Sequence, residues 1–592
     1  MTDLGGSAHS WSLVAFCSVV TLTLLLCVLT GPDRDDLEEF YTGYRSLSPL
    51  RNGLAVAGDY ISAATVLTIG GVIALCGYDG VVLALSTLLS LLLLMVLLAE
   101  PLHNTGRFTM GDALGRRMPG RAVRITACAV TVLSLVPMMT VQLAGVGQLL
   151  AYILGFSDSA MKTGCVIGAG TLMIAYAALG GMKGTALIQI LKTVILLGSG
   201  LVVAVLLLHA FGWHPGTMVD TAARRSGAGE AFLRYGLQFA DGPHPAADMI
   251  STQVAIVLGG ACLPHVTMRM YTAGSARQVR RTMSWAVSSV ALFMLLITVI
   301  AIGATALVGR AGITAADPRG STAYLLGARA AFGPDVSRVE SLLFSAVTTA
   351  VFLTLLASVA GMTLACANSL AHDVVASRRA GLPPARETTL ARISALIIGV
   401  PVVVLAALAQ HRSLQPLATL SFCVGASAIA PALVYTLFWR RFGRAGLLAT
   451  LIGGSVATLV LMSGTRLVSG SPTAAFPEAD FGRAPGWSPG HRPPPSPRPT
   501  SPGSPSPRPP WSPCLWASPA AGWPPWPAEA APPAANATGT PPSNPSSSPG
   551  PHAGDPAGAR GTDGRDGGDA RNPDPAGTVA GRQAATRSPG RP

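Results

Sequence analysis

Charge is scarce in this chain. Only 12% of its 592 residues are Asp, Glu, Lys or Arg, where a soluble domain carries about a quarter. The shortage excludes an ordinary soluble enzyme, a disordered chain and a basic nucleic-acid arm, which all need more charge. Lysine is nearly missing: Lys162, Lys183 and Lys192 stand against 38 arginines. With Ala, Gly and Pro so abundant, that imbalance reads as GC-rich coding, not as an arginine function. Catalytic signatures are missing too. There is no HExxH, GxSxG or Walker loop and no soluble nucleotide domain, so the chain reads as neither enzyme nor ATP-driven pump. No CxxC or paired Cys/His spacing suggests a metal, and no cofactor is expected. Of the nine cysteines, eight (Cys17, Cys27, Cys76, Cys128, Cys165, Cys262, Cys366, Cys423) sit in or beside apolar runs, where a free thiol behaves as a small hydrophobe.

What is present is apolar sequence, in one part of the chain. Half of all residues are hydrophobic and mean hydropathy is +0.48, yet 47 prolines and 66 glycines are too many for a uniform bundle. Residues 480–592 hold 29 of those prolines and no long apolar run. The chain therefore divides into a membrane portion, 1–470, and a Pro/Arg/Gly/Ser-rich tail, 471–592, with the signature of disorder. A bilayer-crossing helix needs about 20 mainly apolar residues. By that measure spans are expected at 11–30, 53–75, 79–99, 123–154, 164–181, 185–210, 248–268, 284–308, 339–370, 390–410, 415–438 and 446–464. The fold class is all-α integral membrane, with about twelve spans.

Basic residues mark the sidedness. They concentrate in alternate connections, above all Arg107, Arg116, Arg117, Arg121 and Arg124, then Arg277, Arg280 and Arg281, and Arg440, Arg441 and Arg444. Cytoplasmic loops are the ones enriched in Lys and Arg, so the N-terminus is expected outside, in a multi-pass protein of the plasma (inner) membrane. The +13 net charge is then a topology signal, and no nucleic-acid partner is needed.

Inside the spans, broken and polar positions point to a solute path. Interrupted helices offer carbonyls and helix-end dipoles to ions and solutes at mid-bilayer. Span 2 combines Gly53, Gly58, Asp59, Ser62, Thr65 and Thr68. An intramembrane carboxylate is expensive and usually functional; the alternative for Asp59 is a cap at the inner interface. Span 7 reads Gly259-Gly260-Ala-Cys-Leu-Pro264-His265, and its glycines and proline predict a break near 259–264. His265 is open to two readings, a structural hydrogen-bonder or a proton or carboxylate ligand. Arg269 reads as an interface anchor. In span 9, Thr354, Ser358 and Gly361 recur at helical spacing, as an oxygen-rich face for a monovalent cation or as small-residue helix packing. His372-Asp373 is expected to cap that helix as it leaves the membrane. Around spans 5 and 6, Tyr176, Gly180-Gly181, Thr185, Gln189 and Lys192 interrupt apolar sequence; Lys192 is open to two readings, snorkelling to the interface, which is favoured, or facing the bundle.

Taken together, these motifs resemble the sodium:solute symporter family, and within it the acetate-permease (cation–acetate symporter) branch. The resemblance is carried by FYTGYRSLSPLRNGLAVAGDYISAA (40–64), GYDG (77–80), AEPLHNTGRFTMGDALGRR (99–117), YAALGGMKGTALIQILK (176–192), LPHVTMRMYT (263–272), SARQVRR (275–281) and AGMTLACANSLAHDV (360–374). It implies a five-plus-five inverted-repeat (LeuT-like) core with span 1 outside the repeats and spans 2 and 7 as the broken first helices. It further implies a cation site between span 2 and span 9, from Ala57, Asp59 and Tyr60 facing Ala357, Ser358 or Gly361, with sodium or a proton as coupling ion. Substrate contacts are expected from Ser62, Thr65, Gly259, Gly260, His265 and Gln189.

Relatives of this kind look like thirteen-span proteins, whereas here the pattern stops after span 12. The tail is either a genuine extracellular segment or out-of-frame translation in place of span 13, and its GC-rich composition favours the second. The expected function is cation-coupled uptake of acetate or another short monocarboxylate. A carrier of proline, a sugar or another neutral solute is the same-fold alternative, and a non-transporting sensor or scaffold the alternative of another class. Substrate and lipid bilayer are the expected partners; no obligate protein partner is evident.

Overall fold

A computed structural model describes residues 6–31, 36–62, 64–153, 158–239, 245–332, 338–378, 383–409 and 415–469. The chain divides into two units, Met1–Pro524 and Pro525–Pro592, and every described residue lies in the first. The tail expected over 471–592 lies outside the described residues. Among the described residues the structure is helical, with no strand.

The main helices in chain order are α1 (Gly6–Leu29), α2 (Pro49–Tyr60), α3 (Gly70–Cys76), α4 (Tyr78–Leu93), α5 (Arg121–Ile153), α6 (Ser159–Ala210) and α7 (Pro245–Ala261). They continue with α8 (Pro264–Thr267), α9 (Ala276–Leu307), α10 (Arg338–Ser369), α11 (Pro384–Ala409), α12 (Gln415–Val424), α13 (Ala430–Phe438) and α14 (Arg444–Ser469). Nine helical stretches among the described residues are long and apolar enough to cross a membrane, and ten if the bent pair Pro49–Tyr60 and Thr65–Cys76 is one span. Leucines and valines such as Val96, Leu295, Leu408 and Val460 stand exposed on these helices. Apolar side chains on the outside as well as the inside are what lipid, not water, permits.

Both expected breaks are present, each with a local cause. Helix α2 starts cleanly: Ser48 Oγ accepts from the Arg51 amide at 3.4 Å and Pro49 occupies the first turn, a cap contributing about 1 kcal/mol. It stops at Ile61, whose backbone is extended (ψ 90°). The Thr65 hydroxyl then bridges the gap, accepting from the Ser62 amide at 3.2 Å and donating to the Tyr60 carbonyl at 3.3 Å. The chain resumes as a π-helical turn, Ala64–Ile69, bent 62° from α2. In the other break, Leu263 precedes a proline, a position that disfavours helical backbone, and it is extended (ψ 124°) between α7 and α8.

A third break lies at the glycine turn expected between spans 5 and 6. In α6, Gly181 has φ 52° and ψ −156°, a conformation that only glycine adopts readily. It divides α6 into the two arms expected as separate spans. Helix α2 runs between α6 and α9, and α10 packs along α6 and α5. Gly58 allows the close approach of α2 to α6, since a Cβ there would lie 2.7 Å from the Gln189 carbonyl oxygen. Backbone contact at that range needs a residue without a side chain.

Candidate functional site

The broken end of α2 delivers Asp59 into the middle of the bundle. Its side chain is 1% exposed and its Oδ2 lies 2.5 Å from Arg269 Nε, in the turn that follows α8. Arg269 is itself 2% exposed, and its Nη1 reaches Met182 Sδ at 3.0 Å, just past the Gly181 break. The expectation that Arg269 anchors the interface is therefore wrong. The proline break turns the chain inward, so the guanidinium points at the carboxylate instead of at lipid headgroups. Asp59 correspondingly is no interfacial cap.

Lys192 is the second correction. It is fully buried, and its Nζ donates to the Gly58 carbonyl and, at 2.8 Å, to Ser358 Oγ. Snorkelling requires a stem that lies along the outer surface, and Lys192 lies on the inner face of α6, against α2 and α10. One turn earlier, Gln189 Nε2 donates to the Ala357 carbonyl at 2.9 Å. Gly361 keeps space open beside Asp59, because a Cβ there would lie 2.8 Å from Asp59 Oδ1. On α10 it is thus the register Ala357-Ser358, with Gly361 one turn on, that faces α2 and α6. The Thr354 hydroxyl turns back to the Ala350 carbonyl at 2.6 Å.

His265 on α8 is buried and hydrogen bonded to the Asp59 backbone, and it interacts electrostatically with Asp59, Arg269 and Lys192. Three buried atoms of this group have no hydrogen-bond partner: Asp59 Oδ1, Gln189 Oε1 and His265 Nδ1. Buried polar atoms are nearly always satisfied, so these are the atoms an occupant of the centre would meet. The charge count is unequal, with Lys192 and Arg269 against Asp59 alone.

Of the residues singled out in the sequence, Asp59, Gln189, His265, Ala357, Ser358 and Gly361 come together here. Ala57 and Tyr60 belong to the last turn of α2, where the Ala57 carbonyl accepts from the Ile61 amide at 2.8 Å. Ser62 and Thr65 bond to the α2 break itself. Gly259 and Gly260 serve close packing: added Cβ atoms would lie 2.2 Å from the Phe422 carbonyl oxygen and 2.9 Å from Tyr60 Oη. Sequence reasoning misplaced the two cations. For Lys192 the signal available was its depth inside the 185–210 run; Arg269 falls one residue past the 248–268 run and carried no such signal.

A second cluster replaces the expected helix cap at His372-Asp373. His372 Nδ1 lies 2.7 Å from Glu387 Oε1 and its Nε2 lies 3.1 Å from Asp112 Oδ1. A carboxylate on each ring nitrogen requires a proton on both. Arg124 joins Asp112 at 2.9 Å, while Thr109 and Ser369 donate to the Asp373 carboxylate at 2.8 and 2.7 Å. Asp112, His372 and Asp373 have ligand atoms near enough to hold a metal, but the ion pairs and hydrogen bonds already satisfy them. Burial alone would raise the Asp112 carboxyl; the His372 hydrogen bond and charge, with Arg124, bring it below its ordinary value.

Two broken helices meeting around a charged centre, inside a bundle of long apolar helices, define a secondary transporter of the LeuT-like, five-plus-five inverted-repeat fold. A sialic acid symporter, solved substrate-bound and outward-open and described as Na+-coupled, shares it with a TM-score of 0.61, at 12% identity over 78% of this chain and 93% of that one. The chain belongs to the sodium:solute symporter family, whose model matches residues 40–454. It is 34% identical over 475 residues to a monocarboxylic acid transporter of Corynebacterium glutamicum, covering 78% of this chain and 85% of the relative. It is likewise 34% identical over 450 residues to an uncharacterized symporter of Bacillus subtilis, covering 76% and 85%. The protein is thus a multi-pass membrane symporter of a small solute, not an enzyme.

A sodium ion at the place implied by the family does not fit these residues. Lys192 Nζ already donates to both the Gly58 carbonyl and the Ser358 hydroxyl, whose own proton turns to the Thr354 carbonyl at 2.9 Å, so a sodium ion there would stand against the ammonium.

Proposed function

We propose that the protein takes up acetate or a related short monocarboxylate across the plasma (inner) membrane, coupled to a cation, sodium or a proton. The observation that carries this reading is the make-up of the centre: two basic side chains, Lys192 and Arg269, against one carboxylate, Asp59, all buried, which with both bases protonated leaves one positive charge in excess. A site with one positive charge in excess is complementary to one carboxylate. At about 4 Å and an effective dielectric constant near 20, such an attraction amounts to about 4 kcal/mol. That attraction binds the anion; the cost of bringing it into a negative-inside cell, about 2.3 kcal/mol per 100 mV, is offset by the cotransported cation. The monocarboxylic acid transporter among the relatives supports the same substrate class.

In this reading the carboxylate enters beside the α2 and α8 breaks, where Asp59 Oδ1, Gln189 Oε1 and His265 Nδ1 supply acceptors for the water or proton that accompanies it. Ala57, Asp59, Tyr60, Ala357, Ser358 and Gly361 surround the place the family's cation would take, here beside Lys192 Nζ, and Ser62, Thr65, Gly259, Gly260, His265 and Gln189 line the substrate side. Rocking of the two repeats then exposes the solute inward. The arginine-rich connection 107–124 faces the cytoplasm and the N-terminus lies outside. Residues 1–470 carry the transport function and 471–592 take no part in it.

Labelled-acetate uptake into proteoliposomes, under sodium and pH gradients imposed separately, tests the proposal. Uptake under either gradient, competed by pyruvate and propionate but not by proline, is expected. No acetate uptake under both gradients, or competition by proline alone, would refute it.

A further inference from the structure

We propose that the Lys192 side chain is a built-in cation standing where a coupling sodium ion would bind, so that this transporter works without sodium at that position. The inference rests on the monocarboxylate-symporter reading and deepens it. Three observations carry it. Lys192 Nζ donates both to a carbonyl on the last turn of α2, Gly58, and to the Ser358 hydroxyl on α10. A carbonyl at the α2 break and a hydroxyl on α10 are the oxygen types that a hard monovalent cation takes. Second, Lys192 is completely buried and reaches this point from α6 with its whole stem in the bundle, so it is held there by packing. Third, the charges close without an added metal ion. Lys192 and Arg269 face Asp59 from α6 and from the turn after α8, with His265 beside them. One bound carboxylate makes the group neutral. A sodium ion added to Asp59, Arg269 and Lys192 would restore an uncompensated positive charge in a buried site.

The arrangement predicts what removal of the ammonium does. In Lys192→Ala, Gly58 O and Ser358 Oγ lose their donor and stand open toward a space the size of the departed side chain, and a sodium ion can then take both oxygens. Sodium should become a ligand of the variant though it is not one of the natural protein.

The experiment measures melting temperature and transport on the full chain, in sodium chloride against choline chloride at equal ionic strength. For the natural protein, melting is expected to be the same in both salts, and acetate counterflow between acetate-loaded proteoliposomes and medium to be equal within about twofold. For Lys192→Ala, sodium is expected to raise melting by roughly 2–5 °C and to stimulate counterflow about tenfold. Sodium-dependent melting or counterflow of the natural protein would overturn the proposal, whatever the variant does. A folded Lys192→Ala indifferent to sodium would overturn it as well. If the variant does not fold, the natural protein's two salt comparisons decide. Counterflow failing in both salts refutes the substrate reading, and the melting comparison still decides the lysine.

Discussion

Replacing Asp59 by Asn is expected to harm the protein more than removing either of its cationic neighbours. The substitution keeps the shape and removes the one carboxylate facing Lys192 and Arg269. Breaking a buried pair by deleting one partner costs about 3–5 kcal/mol, and here it leaves two cations uncompensated, so the upper end applies. Arg269→Met leaves Asp59 still facing Lys192, so the lower end, about 3 kcal/mol, is expected. Lys192→Met keeps the Asp59–Arg269 pair and orphans one carbonyl and one hydroxyl, about 1–3 kcal/mol. For a chain of this size, 1 kcal/mol corresponds to roughly 1 °C in melting temperature. A thiol-reactive dye gives the assay, because Cys27, Cys76, Cys128, Cys165, Cys262, Cys366 and Cys423 are all free and buried and react only on unfolding. Asp59→Asn should melt lowest, about 4–5 °C below the natural protein, and should abolish uptake. If Arg269→Met proved as damaging as Asp59→Asn, the reasoning from net charge would be refuted.

Other outcomes follow from contact and charge. Gly111→Ala would drive a Cβ to 2.3 Å from Asp373 Oδ1, and a loss of about 1–3 kcal/mol should appear as lower melting. Gly77→Ala should be at least as damaging, since φ is +56° and the Cβ would meet the Phe232 carbonyl oxygen at 2.1 Å, whereas Gly453→Ala meets nothing within 4 Å and should be silent. The Asp112 carboxyl is held below its ordinary value, so its contribution to stability is complete above that ordinary value and is lost as pH falls through the lowered one. Asp112→Asn should therefore flatten the acid limb of melting temperature against pH; an unchanged limb would show that the cluster does not act through this group. Truncation after Ser469 should leave acetate counterflow unchanged, and loss of counterflow with normal melting would give the tail a function.

How much was legible depends on how far each interaction reaches along the chain. The breaks in the second and seventh spans were readable because their causes are local: Pro264 forbids a helical Leu263, and glycines with hydroxyls weaken the end of α2. Asp59, Gln189 and Ser358 were readable as polar exceptions in apolar runs. Lys192 and Arg269 were visible but misread, because distance from a helix end does not say which face a side chain occupies. The His372-Asp373 pair was misread for the same reason, since Asp112 and Arg124 approach it from a distant stretch of chain.

The sequence by itself determined that this is an apolar helical bundle, where its helices break, and that it belongs among transporters. Those properties follow from hydropathy, backbone chemistry and motifs, each contained in a short window. Tertiary structure alone decided what the breaks enclose. Asp59 and Arg269 are 210 residues apart, and Lys192 and Ser358 are 166 apart. Only the packing of α2, α6, α8 and α10 brings them together, with one more positive charge than negative and a lysine between two oxygens suited to an ion.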